Sequence, residues 1–270
     1  MKLCRFQPLE FAIKDVGRSG HEVHARTFNG IAEDGSVFEI RGDLFGERER
    51  TGRKWPAADL KYLAPCVPTK IVCVGRNYHD HIKELNSTVP KEPLIFLKPP
   101  SSVLAPEDSI VLPRLSQRVE YEGEIAVVIG RRCFQLREGE DPATYILGYT
   151  ALNDVTARDL QRADSQWSRA KGFDTFCPFG PVIETDQPSH STRVESFVNG
   201  APKQSAPISD MIFSIDTVLR YITQVMTLEP GDVVATGTPG GVGPLAPGDT
   251  VEVKVSGVAT LRNPVAAPQN

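Results

Sequence analysis

The stretch Glu122-Gly123-Glu124-Ile125-Ala126-Val127-Val128-Ile129 decides how this chain reads. A strand sends residues i and i+2 to one face, so Glu122, Glu124, Ala126 and Val128 share a side. Gly123, Ile125, Val127 and Ile129 take the other. Both faces run into aliphatic residues, the pattern of a strand covered on both sides. Two carboxylates at the mouth of such a strand repel each other unless a cation or water neutralises them. An isolated Glu-x-Glu is more often a solvated strand end, so a metal reading needs further oxygen ligands.

A third ligand is at hand. Asn153-Asp154-Val155-Thr156-Ala157-Arg158-Asp159 follows an apolar run at 146–152, which puts Asp154 where a second buried strand ends. Rigid backbone at such an end fixes the geometry of a carboxylate. Glu122, Glu124 and Asp154 together offer three oxygen ligands and leave positions open, a set suited to Mg²⁺ or Mn²⁺. Asp159 competes for the third place, although a salt bridge to the neighbouring Arg158 suits it equally.

Three further groups carry chemistry. His81 and Glu84 are three apart on a short predicted helix and face the same way. A carboxylate beside an imidazole fixes its tautomer and raises its basicity, which makes His81 with Glu84 a candidate general base. His79 faces Lys83 and is the weaker candidate. Lys171, set among Trp167 and Phe173, is placed to bind a substrate carboxylate or to offset an enolate. The loop Thr236-Gly237-Thr238-Pro239-Gly240-Gly241-Val242-Gly243 follows a strand and can bring backbone amides close to an anion. It lacks the spacing of a phosphate-binding P-loop, and no Gly-x-Ser-x-Gly elbow of a serine hydrolase occurs.

Around these motifs the chain reads as many short strands. Lys2 to Phe6 and Val37 to Ile40 read as strands, with Asn29-Gly30 and Asp34-Gly35 as hairpin turns. The proline-containing stretch 63–68 marks a boundary, giving a small domain at 1–65 and a larger one at 66–270. Strands follow at 71–75, 93–97, 146–152, 181–184 and 233–236, with a polar segment at 86–93 as a cover. One helix is clear: Ser214 caps it, and Ile215, Val218, Leu219, Ile222, Val225 and Met226 recur at helical spacing. Without sustained strand–helix alternation, an α+β, β-rich fold is expected.

Composition excludes other classes. The 270 residues are 40% apolar and 24% charged with net charge −4 and no basic block, so neither nucleic acid nor a membrane surface is an expected partner. Apolar runs fall well short of the ~20 residues of a membrane helix, and the first residues lack a signal peptide's apolar core. Five scattered cysteines without Cys-x-x-Cys spacing disfavour a disulfide framework or a zinc site, and a cytoplasmic location is expected. His21 and His24 form a second, amino-terminal pair of histidines.

Together these stretches resemble the fumarylacetoacetate hydrolase family. The matching pieces are Val74-Gly75-Arg76-Asn77-Tyr78, Glu122-Gly123-Glu124, the run from Asn153 to Gln161, Lys171-Gly172-Phe173-Asp174 and the run from Val233 to Gly243. They span roughly residues 70 to 265 in the family's order, and the first ~65 residues resemble its small, variable amino-terminal domain. The resemblance implies a β-roll with Mg²⁺ or Mn²⁺ on Glu122, Glu124 and Asp154. It implies substrate contacts from Arg76, Tyr78, Arg158, Gln161 and Thr238, with His81, Glu84 and Lys171 catalytic. It also implies a homodimer and a small 2-oxo acid substrate. Arg76-Asn77 stands where the animal fumarylacetoacetase branch has an extra metal-binding aspartate, which points away from fumarylacetoacetate itself. The expected reaction is hydrolysis of the C–C bond of an acylpyruvate, of which a fumarylpyruvate-like compound is an example. Decarboxylation of oxaloacetate and isomerisation of a 2-hydroxyhepta-2,4-diene-1,7-dioate are the alternatives on the same enolate, and a noncatalytic β-rich binding protein is a distant one.

Overall fold

The computed structural model describes residues 1–10 and 26–268; His21 and His24 lie outside them. The first part supplies β1 (Lys2–Pro8), β2 (Phe28–Glu33), β3 (Ser36–Gly42), β4 (Arg48–Pro56) and β5 (Leu60–Leu63). Asp34 and Gly35, at φ 44° and 72°, turn β2 into β3 as their sequence predicts. Asn29-Gly30 makes no turn. It lies inside β2, paired with β1 on one side and β3 on the other. A Cβ on Gly30 would stand 2.4 Å from Val37 Cγ1, so this glycine serves close packing.

The chain continues through β6 (Ile71–Gly75), α1 (His79–Glu84), β7 (Leu94–Lys98), β8 (Val103–Leu104), β9 (Ile110–Val111) and β10 (Val119–Tyr121). β11 (Gly123–Ile129), β12 (Ile146–Asn153), β13 (Thr156–Ala157), α2 (Arg158–Ala163), α3 (Ser168–Lys171) and β14 (Cys177–Glu184) follow. The last part holds β15 (Arg193–Val198), β16 (Ala201–Pro207), α4 (Ile215–Val225), β17 (Val233–Ala235), β18 (Gly243–Pro244), β19 (Thr250–Val255) and β20 (Ala259–Ala266).

Twelve strands make one sheet in the order β4-β3-β2-β1-β14-β12-β11-β17-β6-β7, with β5 added on β1 and β8 on β14. β1 pairs with β14 only at Lys2 and Leu3; from Arg5 onward β5 takes that side. The amino-terminal strands thereby extend the sheet that carries the carboxylates. A second sheet runs β16-β15-β19-β20-β9, and a short third runs β13-β10-β18. The fold is α+β and dominated by strands, as expected.

β11 divides the core. Ile125, Val127 and Ile129 join one apolar cluster, with Val218, Leu219 and Ile222 of α4 and with Val253 and Val255 of β19. Ala126 and Val128 join another, with Ile71, Val233, Leu152 and Phe179. Both faces of the strand are therefore covered, as the alternation predicts, and burying each of its large aliphatic side chains contributes about 1.5–3 kcal/mol. α4 begins where the Ser214 side chain accepts from Thr217 N at 3.2 Å. Among the described residues no helix is long and apolar enough to cross a membrane.

Candidate metal centre and active site

Glu122 sits in the break between β10 and β11. Its N–H donates to Asn153 Oδ1 at 2.9 Å, and Asp154 N donates back to the Glu122 carbonyl at 2.8 Å. These two bonds lock the ends of β11 and β12 side by side. Ligand oxygens of Glu122, Glu124 and Asp154 consequently lie within 4.8 Å of one another, all three residues buried. An ion with oxygen bonds of about 2.1–2.5 Å could span such a gap.

The surrounding charges are arranged unequally. Lys171 Nζ lies 2.7 Å from Glu122 Oε2 and 2.7 Å from Asp154 Oδ2. Lys98 Nζ, itself 1% exposed, lies 2.6 Å from Asp154 Oδ1 and donates to Val155 O at 3.2 Å. The Arg158 guanidinium pairs with Glu122 Oε1, with Glu120 Oε2 at 2.6 Å, and with Gln161 Oε1 at 2.5 Å. Burial opposes ionisation of Glu122, but Lys171 and Arg158 overcome it and hold the carboxyl well below its usual range. Burial likewise opposes the charge on Lys171, and Asp154 and Glu122 reverse the effect and raise its pKa.

Glu124 differs. Among the described residues it accepts from the N–H of Gly237, at 2.7 Å from Oε2. Burial first, then repulsion from Asp154 and Glu122, push its pKa well above the ordinary 4.5. Four buried carboxylates, with Glu120 included, face the three cations Lys98, Lys171 and Arg158. Arg118, at the exposed edge, also pairs with Glu120 Oε1 at 2.5 Å, so the set balances when Glu124 is ionised, but among the described residues no cation pairs with Glu124 itself. A hard divalent cation would give Glu124 the positive partner it lacks and would find oxygen donors only, so these residues fit Mg²⁺ or Mn²⁺.

His81, Glu122, Glu124, Asp154, Lys171 and Thr238 all line one cavity of about 590 Å³, together with Arg76, Arg158 and Gln161. His81 is buried on α1, its Nδ1 3.6 Å from Glu84 Oε2. That is an ion-pair separation rather than a hydrogen bond, and Nδ1 has no hydrogen-bond partner. His81 chiefly draws the Glu84 carboxyl below 4.5, and the Gly241 N–H, 3.1 Å away, adds to this. Thr238 Oγ1 donates to Gly123 O at 2.9 Å and accepts from Gln204 Nε2 at 2.7 Å. Asn77 ties the glycine-rich loop down by donating to Thr236 O at 2.7 Å.

Not every expected group reaches the cavity. Tyr78 is buried with an unpaired hydroxyl and, with His79 and Glu84, lines a neighbouring hollow of about 700 Å³. Asp159 is no part of the carboxylate cluster: it accepts from Ser116 Oγ at 2.6 Å and Gln117 N at 2.8 Å. Sequence reasoning passed over Lys98 and Glu120. Glu120 extends the Glu122–Glu124 alternation by one step, and Lys98 is the lone charge closing the run Leu94-Ile95-Phe96-Leu97 before Pro99. All five cysteines are free and buried, and burial lifts Cys66 and Cys177 to about 12.

Carboxylates converge from two buried strand ends in a β-rich fold, and together they could hold a metal ion. The family model described as "Fumarylacetoacetate (FAA) hydrolase C-terminal" matches residues 70–266, and that described as "Rv2993c-like, N-terminal" matches 24–65. The chain belongs to the fumarylacetoacetate hydrolase family and is an enzyme of it. A protein of Archaeoglobus fulgidus is 50% identical over 236 residues, which cover 87% of this chain and 92% of that protein. The mitochondrial oxaloacetate tautomerase FAHD2A of Bos taurus is 40% identical over 223 residues, 78% of this chain and 71% of its own. The crystal structure of 5-carboxymethyl-2-hydroxymuconate delta-isomerase from Mycobacterium smegmatis matches with TM-score 0.87 and 40% identity, covering 99% of this chain and 100% of that one.

Proposed function

We propose that this enzyme moves protons at the carbon beside the 2-oxo group of a small 2-oxo acid, interconverting enol and keto forms with the help of Mg²⁺ or Mn²⁺. The observation that carries the reading is the buried carboxylate triad, whose member Glu124 has no cation partner among the described residues. A divalent ion added to the balanced set of charges around the triad leaves an excess of positive charge, which favours an anionic ligand with oxygen donors. When bound, the ion supplies Lewis-acid stabilisation of enolate charge.

The chain's own residues do the rest. With Nδ1 of His81 turned to Glu84, Nε2 is left to take and return the carbon-bound proton. Glu84, held ionised by its neighbours, stabilises the imidazolium that forms. Lys171 lines the same cavity and offsets the charge that grows on the 2-oxo oxygen. Arg158 has Nε, Nη1 and Nη2 committed to Glu120, Gln161 and Glu122, so it fixes a carboxylate ligand as well as forming cavity wall. The named activities of the bovine and mycobacterial relatives, a tautomerase and an isomerase, support proton transfer.

C–C hydrolysis of an acylpyruvate is the second reading. His81 with Glu84 is equally suited to activating water, and about 590 Å³ holds a water beside a small acid. Product analysis separates the reactions. Enzyme supplied with oxaloacetate enol, a 2-hydroxy-dienoate and an acylpyruvate should ketonise or isomerise the first two faster than it fragments the third. Two acid fragments from the acylpyruvate as the dominant turnover would favour hydrolysis, and released CO₂ would favour decarboxylation. The reading includes a homodimer in the cytoplasm.

A further inference from the structure

A second cavity, of about 310 Å³, shares no lining residue with the one around the carboxylates, among the described residues. Much of its wall is apolar, with Ile146, Ile208, Met211, Ile215 and Leu219. Its charge is one-sided: Asp141, Asp216 and His190 line it and, among the described residues, no lysine or arginine does. Asp216 is engaged by Arg220 Nε at 3.0 Å. It also stands in the first turn of α4, where it offsets the positive end of that helix. Asp141 is the carboxylate left over. Its Oδ1 accepts from Ala143 N at 3.0 Å, and among the described residues no cation pairs with it.

Tyr149 supplies the second polar group. It is 4% exposed and lines the cavity from β12, and among the described residues its hydroxyl has no hydrogen-bond partner. Burial first, and then the Asp141 carboxylate, raise this hydroxyl above its ordinary pKa, which marks the two groups as neighbours. A hydroxyl so enclosed calls for a partner that the chain itself does not provide. The walls are held in place as well. Asp141 caps the turn Pro142–Tyr145. Ile212 N and Phe213 N donate to Asn77 O at 2.9 Å and Asn77 Oδ1 at 2.7 Å, which anchors the segment that carries Ile208 and Met211. A preformed, mostly apolar hollow with a few convergent polar groups is the usual form of a small-molecule site.

We infer that this cavity binds a small amine, its apolar body against Ile208, Met211 and Leu219 and its ammonium on Asp141 and Tyr149. The ammonium donates to the Asp141 carboxylate through a charge-assisted bond and to the Tyr149 oxygen through a second. The site goes beyond the 2-oxo acid reading and does not depend on it.

The test is calorimetric titration of the Mg²⁺-loaded protein with 2-phenylethylamine and with 2-phenylethanol, which share a carbon frame and differ in the head group. The wild type should bind the amine at one site per chain, at least about tenfold more tightly than the alcohol. Asp141→Asn keeps a capping residue, and it should bring the two affinities close together. Tyr149→Phe removes a hydroxyl without a partner, so it should leave the melting temperature unchanged and weaken amine binding about fivefold. No binding of the amine, equal affinities for the two probes in the wild type, or amine binding unchanged in either variant would overturn the inference. Each of these results leaves the catalytic reading intact.

Discussion

Glu124 and Glu122 sit two residues apart and behave oppositely, because one faces cations and the other does not. Folding favours the neutral form of Glu124. The stabilisation this gives is complete below 4.5 and is lost as pH rises through the raised folded value. A divalent cation needs the ionised form, so its affinity grows across the same window. The thermal shift produced by Mg²⁺ should therefore increase with pH above 4.5. Glu124→Gln should remove it, weakening Mg²⁺ binding by more than the 10–100-fold typical of outer-shell changes, with little loss of melting temperature in chelator. Glu122→Gln should instead destabilise the chelated protein by about 3–5 kcal/mol, because Arg158 and Lys171 lose a buried partner. A Mg²⁺ shift that is flat with pH would count against this assignment. The triad was legible because period-two spacing and a second strand end are local signals. Lys98 was not, since nothing local distinguishes a lysine that closes a strand in solvent from one that reaches a buried aspartate 56 residues away.

At the scale of elements, the loop after β17 sets the site. Gly237 has φ 101°, and a Cβ there would stand 2.6 Å from Asn77 Cβ. Its N–H holds Glu124 and its neighbour Thr236 is held by Asn77, so backbone and ligand are positioned together. Gly237→Ala should cost about 1–3 kcal/mol in urea unfolding through backbone strain and contact, and should weaken Mg²⁺ binding at the same time. Unchanged stability and affinity would show that this loop does not hold Glu124. The helix at α4 was readable from its cap and its apolar stripe, and β11 from its alternation. Asn29-Gly30 misled because the dipeptide carries the same local signal in a hairpin turn and where two strands press closely together. Only the packing of Val37 and Phe6 around Gly30 separates the two cases.

For the whole molecule, the cavity depends on segments far apart in the chain. α1, the β10–β11 break, the end of β12, α3 and the loop after β17 each supply one or two groups, and the large sheet fixes their spacing. At the end of β6 and β17 away from the cavity, buried Asp232 accepts from the backbone N–H groups of Thr69, Lys70 and Glu229 at 3.1, 3.1 and 2.8 Å, joining the strand that leads into α1 to the strand that leads into the loop. The central claim is that this assembly enolises a 2-oxo acid through a cation on Glu122, Glu124 and Asp154. Proton NMR in deuterium oxide measures it directly, by following loss of the C3 signal of a 2-oxo acid in the presence of enzyme. Exchange should require Mg²⁺, stop on chelation, return when Mg²⁺ is restored, and be absent in Glu122→Ala. Exchange that proceeds at the same rate in chelator, or in that variant, would contradict the account.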